Sequence, residues 1–225
     1  SQVKLHDKLR KLENLKKYIH ISTPEVYGST KDWIKENFNF EPNSPYAVSR
    51  AACDLHLKSF HKAYDFPVIY TRAANVYGPG QQLYRIIPRT ILATMTSNKL
   101  DLHGGGTSAR SFINIQDVVN ATFKIAINGK IGDSYHISTN ESISIKNLVL
   151  FICNLMGKNF DDVVNISDDR LGKDEFYLLD SSKIRKELKW SEKESFKDSI
   201  VETIKWIENN FDTIKELPIT YEHKK

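Results

Sequence analysis

Cysteine is scarce in this chain. Only Cys53 and Cys153 occur in 225 residues, which excludes a disulfide framework as the source of stability. Both lie in predicted helices among apolar neighbours and read as buried, reduced thiols. With no signal peptide evident, the expected compartment is the cytoplasm. No apolar run approaches the length of a membrane span. The net charge is +4, but Lys and Arg are spread along the chain without a tight basic cluster. Neither a membrane nor a nucleic acid is therefore expected as a partner. The seven histidines show no metal-ligand spacing, so no metal site is expected. Glycine supplies the most informative absence. A dinucleotide-binding fold opens with Gly-x-x-Gly-x-x-Gly or a close variant after its first strand, and no such loop is present. The one glycine cluster, Gly104-Gly105-Gly106, is followed by Thr-Ser-Ala-Arg rather than by an apolar helix and reads as a loop.

What is there is ordinary for a soluble globular chain, 40% hydrophobic and 27% charged. The length suits one large domain or one and a half small ones. Val3, Leu5, Leu9, Leu12 and Leu15 recur at helical spacing over residues 3–16. The run Tyr18-Ile19-His20-Ile21 reads as a strand. Residues 32–40, with Trp33 and Phe38, read as a loop near the mouth of a site. Ser44 and Pro45 open a long helix reaching Tyr64, the serine as N-cap and the proline in the first turn. Further strands are expected at 66–72, 112–115 and 134–138, with a short extended piece at 175–179. Further helices are expected at 86–96, 116–128, 145–156, 182–188 and 196–211, and a mobile charged tail after Pro218. Strands alternating with helices argue for an α/β fold with a parallel sheet.

The functional signal is concentrated in two segments. Ser22-Thr23-Pro24-Glu25-Val26-Tyr27-Gly28 begins at the carboxyl end of the first predicted strand, where ligands bind in open α/β sheets. Tyr46-Ala47-Val48-Ser49-Arg50 opens the long helix, and one turn puts residues 46 and 50 on the same face. A hydroxyl, a carboxylate, a phenol and a cation can meet over one crevice, the parts needed for hydride and proton chemistry on a sugar alcohol.

Taken together, these segments resemble the extended short-chain dehydrogenase/reductase family and, within it, the dTDP-glucose 4,6-dehydratases. Four further stretches are similar to family signatures in the family's order: Arg72-Ala-Ala-Asn75-Val-Tyr-Gly-Pro79, Arg110-Ser-Phe-Ile-Asn-Ile-Gln-Asp117-Val, Asp169-Arg170-Leu171-Gly172-Lys173-Asp174 and Asp180-Ser-Ser-Lys183-Ile184. The resemblance covers residues 17–206. It implies the C-terminal portion of a Rossmann-type doubly wound sheet over residues 1–80, a smaller nucleotide-sugar-binding α/β domain mainly over 81–217, and a tail over 218–225. It also implies that the glycine-loop half of the Rossmann domain is not present, as in a fragment of a longer protein or a shortened gene product.

The same resemblance implies NAD as cofactor, a nucleotide-diphosphate sugar as substrate and a homodimer. Tyr46 would accept the proton of the C4 hydroxyl, its phenolate favoured by the cation of Arg50, and both would contact the cofactor. Thr23 would hydrogen-bond the C4 oxygen and Glu25 would remove the C5 proton. Arg110 and Arg170 would hold the pyrophosphate, guanidinium forks suiting phosphate oxygens, with Asn75, Arg85 and Asp169 completing the substrate site. Two departures matter. Arg50 stands where the family usually carries lysine, and a guanidinium is a poor geometric stand-in for an ammonium. Pro24 stands where the dehydratases carry the aspartate that protonates the leaving C6 hydroxyl. A UDP-glucuronate decarboxylase, or a non-catalytic nucleotide-sugar-binding module, are the alternatives.

Overall fold

The computed structural model describes residues 2–30, 32–96, 98–168 and 176–219. The chain opens with helix α1 (Gln2–Leu9), strand β1 (Tyr18–Ile21) and one 3-10 turn (Pro24–Tyr27), followed by the long helix α2 (Pro45–Tyr64). Strands β2 (Val68–Ala73) and β3 (Asn75–Tyr77) lead to α3 (Ile86–Met95) and β4 (Leu100–His103). Next come β5 (Ala109–Arg110), β6 (Phe112–Asn114), α4 (Ile115–Asn128), β7 (Ser134–Ile137), β8 (Ile143–Ser144) and α5 (Ile145–Leu155). After α6 (Phe160–Val163), β9 (Val164–Ser167) and β10 (Phe176–Tyr177), helices α7 (Ser182–Leu188) and α8 (Phe196–Ile214) complete the described chain.

Strands β1, β2 and β7 form a parallel sheet in that order, Tyr18 lying beside Val68 and Tyr70 beside Ser134. Parallel neighbours need crossover connections, and α2 supplies the one between β1 and β2. Successive side chains of β2 point to opposite faces. Val68 and Tyr70 join Leu57 of α2 and Phe66, whereas Ile69 joins Ala121 and Ile125 of α4, Tyr135 and Ile137 of β7, and Trp190. The central strand is thus covered on both sides, as parallel strands require. A second core lies between α3, α5 and α8, where Ile87, Ile91, Leu148, Ile152, Ile200, Ile204 and Ile207 pack together. Two further parallel pairs, β3 with β6 and β4 with β9, and the mixed set β10-β5-β8 complete the pairing among the described residues, β3 and β6 sending Tyr77 and Phe112 to this second core and Val76 and Ile113 to the first. No helix among the described residues is long and apolar enough to cross a membrane.

The structure differs from the sequence-based expectation in three places. Helix α1 stops at Leu9, and Val3, Leu5 and Leu12 of the expected apolar stripe are exposed; only Leu9 and Leu15 reach the core beside α2. Strand β2 starts at Val68, because Pro67 has no N–H for the ladder. And β7, with α4 and α7 beside it, returns to the first sheet, so a cut after residue 80 does not divide the two cores. Local periodicity cannot report which sheet a later strand joins.

Candidate active site

Past Ile21 the chain leaves the sheet at the carboxyl end of β1, after a last ladder bond from the Ser22 N–H to the Thr71 carbonyl at 2.8 Å. Thr23 is extended and caps the following turn, its Oγ1 accepting from the Glu25 N–H at 3.3 Å. Pro24 occupies the first turn position, where an N–H has no partner to lose. Gly28 ends the turn at φ 68°, its N–H donating to the Glu25 carbonyl. A Cβ there would stand 2.3 Å from the Glu41 carbonyl oxygen, so glycine is required. Thr23 is buried and Glu25 half-buried.

Helix α2 begins beside this turn and packs on it. Ser44 is its N-cap, Oγ accepting from the Ala47 N–H at 3.1 Å. The Tyr46 side chain, in the first turn, is 55% exposed. One turn on, the Arg50 guanidinium donates to the carbonyl of Ile21, the last residue of β1. The segments carrying Thr23 and Glu25 and those carrying Tyr46 and Arg50 therefore meet at the carboxyl end of one parallel sheet.

The expected substrate groups are placed differently. Asn75 ties β3 to β6: its N–H and its Nδ2 both donate to the Ser111 carbonyl, at 3.1 and 3.2 Å. Arg85 is exposed at the start of α3, with its guanidinium carbon 5.5 Å from the Tyr84 ring centre. Arg110 is half-buried on β5 and donates to the Ala109 carbonyl at 2.8 Å. Asp169 and Arg170 lie outside the described residues. Two signature aspartates are structural pegs. Asp117, buried on α4, accepts from the N–H groups of Lys193 and Glu194 at 2.9 and 3.2 Å, fixing the approach to α8. Asp180 accepts from the Ser182 N–H at 2.7 Å and so starts α7.

Directly beneath the strand end lies a buried polar network that the sequence reading missed. Asp54 of α2 accepts from His20 Nε2 at 2.9 Å, Ser22 Oγ at 2.8 Å and Arg72 Nη2 at 2.7 Å. Burial alone would raise its carboxyl, but the His20 bond and the Arg72 charge outweigh this and hold it below the usual carboxylate range. Arg72 also donates to the Tyr27 hydroxyl at 3.0 Å, which lies 2.9 Å from His136 Nε2. Burial, and the Arg72 charge, push His136 down to about 3, so its ring is neutral. The loop after Gly28 is laced over this network. Its Ile34 bridges to Leu179, Thr30 Oγ1 accepts from the Leu178 N–H, and Glu36 accepts from the His136 N–H at 2.8 Å. A signal for the network was available in the sequence. Residues 46, 50 and 54 share a helical face, and Arg72 ends a run of apolar and β-branched residues.

An α/β chain with Rossmann-type parallel pairing and hydroxyl, carboxylate and phenol groups at its strand ends has the architecture of the dehydratase and epimerase class. The chain belongs to the GDP-mannose 4,6-dehydratase family, which it matches over residues 2–203. It is similar to the dTDP-D-glucose 4,6-dehydratase of Bos taurus, 35% identical over an alignment 207 residues long that covers 89% of this chain and 58% of the bovine one. The structure of dTDP-glucose 4,6-dehydratase from Streptomyces venezuelae, solved with NAD bound, superimposes with a TM-score of 0.85 at 32% identity, covering 89% of this chain and 62% of that one. UDP-N-acetylglucosamine 4-epimerase from Methanobrevibacter ruminantium, in complex with UDP-N-acetylmuramic acid, gives a TM-score of 0.84 at 29% identity and covers 92% and 67%. The chain thus spans 58% and 62% of the length of the two dehydratases.

Proposed function

We propose that this chain carries the reacting groups and the substrate side of an NAD-dependent nucleotide-sugar 4,6-dehydratase, of the type that converts dTDP-glucose to its 4-keto-6-deoxy product. The observation that carries this reading is the packing of the Thr23–Glu25 turn against the first turns of α2, which bear Tyr46 and Arg50. These residues fit the nicotinamide side of an NAD site; nothing in the sequence supplies the glycine cradle for its pyrophosphate. When bound, NAD would supply a hydride acceptor for C4 and would give the same hydride back at C6 once water has left. Tyr46 takes the C4 hydroxyl proton and Thr23 hydrogen-bonds the oxygen. The C4 ketone acidifies the C5 proton, which Glu25 removes. With proline at position 24, Glu25 then passes that proton to the departing C6 hydroxyl, so one group serves as base and acid, and a solvent proton closes C5, replaced by the one that Tyr46 gives up. Arg110 and Arg170 hold the pyrophosphate, with Asn75, Arg85 and Asp169 around the nucleotide sugar. Residues up to 80, together with α4, β7 and α7 that pack on the same sheet, form the cofactor side, and the rest of 81–217 the substrate side. We place the protein in the cytoplasm as a homodimer joined along α2, whose Val48 and Leu55 are exposed two turns apart; light scattering should return twice the chain mass.

Calorimetric titration of the chain with NAD, with and without dTDP-glucose, tests the reading. NAD binding supports the dehydratase. A second reading, a nucleotide-sugar-binding module without catalysis, is favoured by the Arg50 guanidinium being committed to the Ile21 carbonyl, and it requires the sugar nucleotide to bind while NAD does not. Given turnover, Glu25→Gln should lower kcat by roughly 100-fold or more with nucleotide-sugar affinity retained. Pro24→Asp should change kcat less than about threefold, since Glu25 already supplies the proton; a large gain would show that position 24 had been missing its acid.

A further inference from the structure

Arg72 is fully buried, and its one guanidinium touches three separate segments, α2, the 3-10 turn and the loop beyond it. Its Nη2 pairs with Asp54 on α2 at 2.7 Å and its Nη1 donates to Tyr27 in the 3-10 turn at 3.0 Å. Its central carbon lies 5.2, 5.4 and 5.1 Å from the ring centres of Tyr27, Phe38 and Phe40, an aromatic cage drawn from the turn and the loop beyond it. Asp54, also fully buried, accepts from His20 and Ser22 on and just past β1. The pair therefore joins the residue before Thr23, the turn that holds Glu25 and the helix that carries Tyr46 two turns away on the same face.

Stability is a poor explanation for this arrangement. An apolar pair of similar volume would fill the space without the desolvation cost of two charges. Arg72 Nε has no hydrogen-bond partner among the described residues, which adds to that cost. What an apolar pair cannot supply is direction. Directed bonds from one ion pair reach β1, the turn and α2 at once, and fix their mutual register.

We propose that the Arg72–Asp54 pair is a positioning device, which sets α2, and with it Tyr46, against Thr23 and Glu25. The catalytic meaning of that register rests on the function proposed above; the register itself does not.

The test is the double variant Arg72→Met/Asp54→Leu in the full chain, compared with wild type by urea unfolding and by amide hydrogen exchange. The urea midpoint should be retained, while exchange over residues 22–28 and 45–50 rises about tenfold or more and that of α5 stays unchanged. Wild-type exchange in those two segments would overturn the proposal. Should the double variant fail to fold, Ser22→Ala removes one bond to Asp54 from outside the pair. It should speed exchange at 45–50 several-fold, and no change there would be equally fatal. In a chain that turns over, the double variant should lower kcat roughly 100-fold with KM for dTDP-glucose within about threefold. An equal rise in KM, or full activity, would mean the pair only supports the fold. Failure of wild type to bind dTDP-glucose would sink the functional reading and leave the exchange comparison decisive for this one.

Discussion

A methyl group at position 28 has no room, since the Glu41 carbonyl would lie 2.3 Å from it and the backbone sits at φ 68°, where a Cβ adds its own strain. The Gly28 N–H meanwhile closes the turn on the Glu25 carbonyl. Gly28→Ala is therefore expected to cost about 2–4 kcal/mol, measured as a lower urea midpoint at unchanged slope, and to disturb Glu25 before any distant residue. The same position explains why this part of the site could be read from sequence. The turn from Thr23 to Gly28 takes its local shape from a threonine cap, a proline and a glycine, which the sequence displays, whereas its anchorage through Ser22 and Tyr27 is not local. Asp54 and Arg72 were not legible in that way. Each looks like one more surface charge until the fold brings them within 2.7 Å, and the cost of burying either one alone appears only in three dimensions.

Helices carry their own boundaries, and α2 shows why they were found. Ser44 accepts from the Ala47 N–H, Pro45 fills the first turn, and the helix runs to Tyr64 as its pattern indicates. The short strands behave differently. β3, β4 and β9 have three or four residues each, too few for a period of two to stand out. The pairing of Leu100 with Val164 in β4 and β9 is encoded in neither segment alone. Between these extremes stands Asp117, a signature residue whose role proved to be anchorage. Its carboxylate satisfies the N–H groups of Lys193 and Glu194 at the approach to α8. Asp117→Ala leaves both donors without that acceptor and should cost about 2–3 kcal/mol. Because the bonds hold the entry to α8, amide exchange in α8 should rise while β1 and β2 stay protected. Uniform loss of protection would mean that Asp117 holds the whole fold and not this junction.

At the scale of the whole molecule, the buried network makes stability depend on pH with a definite sign. His136 is fully buried beside Arg72 and is held neutral, its folded-state value pushed down to about 3. In the unfolded chain a histidine titrates near 6.5. Between those values the unfolded state binds the proton and the folded state does not, so stability is complete above about pH 6.5 and is lost progressively as pH falls. By pH 4.5 the loss from this residue amounts to about 3 kcal/mol. Asp54, held below the ordinary carboxylate range, acts in the same direction but lower: its contribution is present above about pH 4 and disappears as pH falls through its depressed folded value. Glu36, whose carboxyl burial raises, opposes both, since protonation relieves the cost of burying its charge. His6, buried and pushed down to about 4, acts in the same direction and window as His136, so the loss between pH 6.5 and 5 belongs to these two histidines together. Urea midpoints at pH 7.0, 5.5 and 4.5 should fall steadily for wild type. His136→Asn should start lower, having lost the contact with Tyr27, and keep only the shallower slope that His6 supplies between pH 7.0 and 5.5. An equally steep wild-type slope in that variant would assign the titration to another group and remove His136 as an acid-sensitive element of the fold.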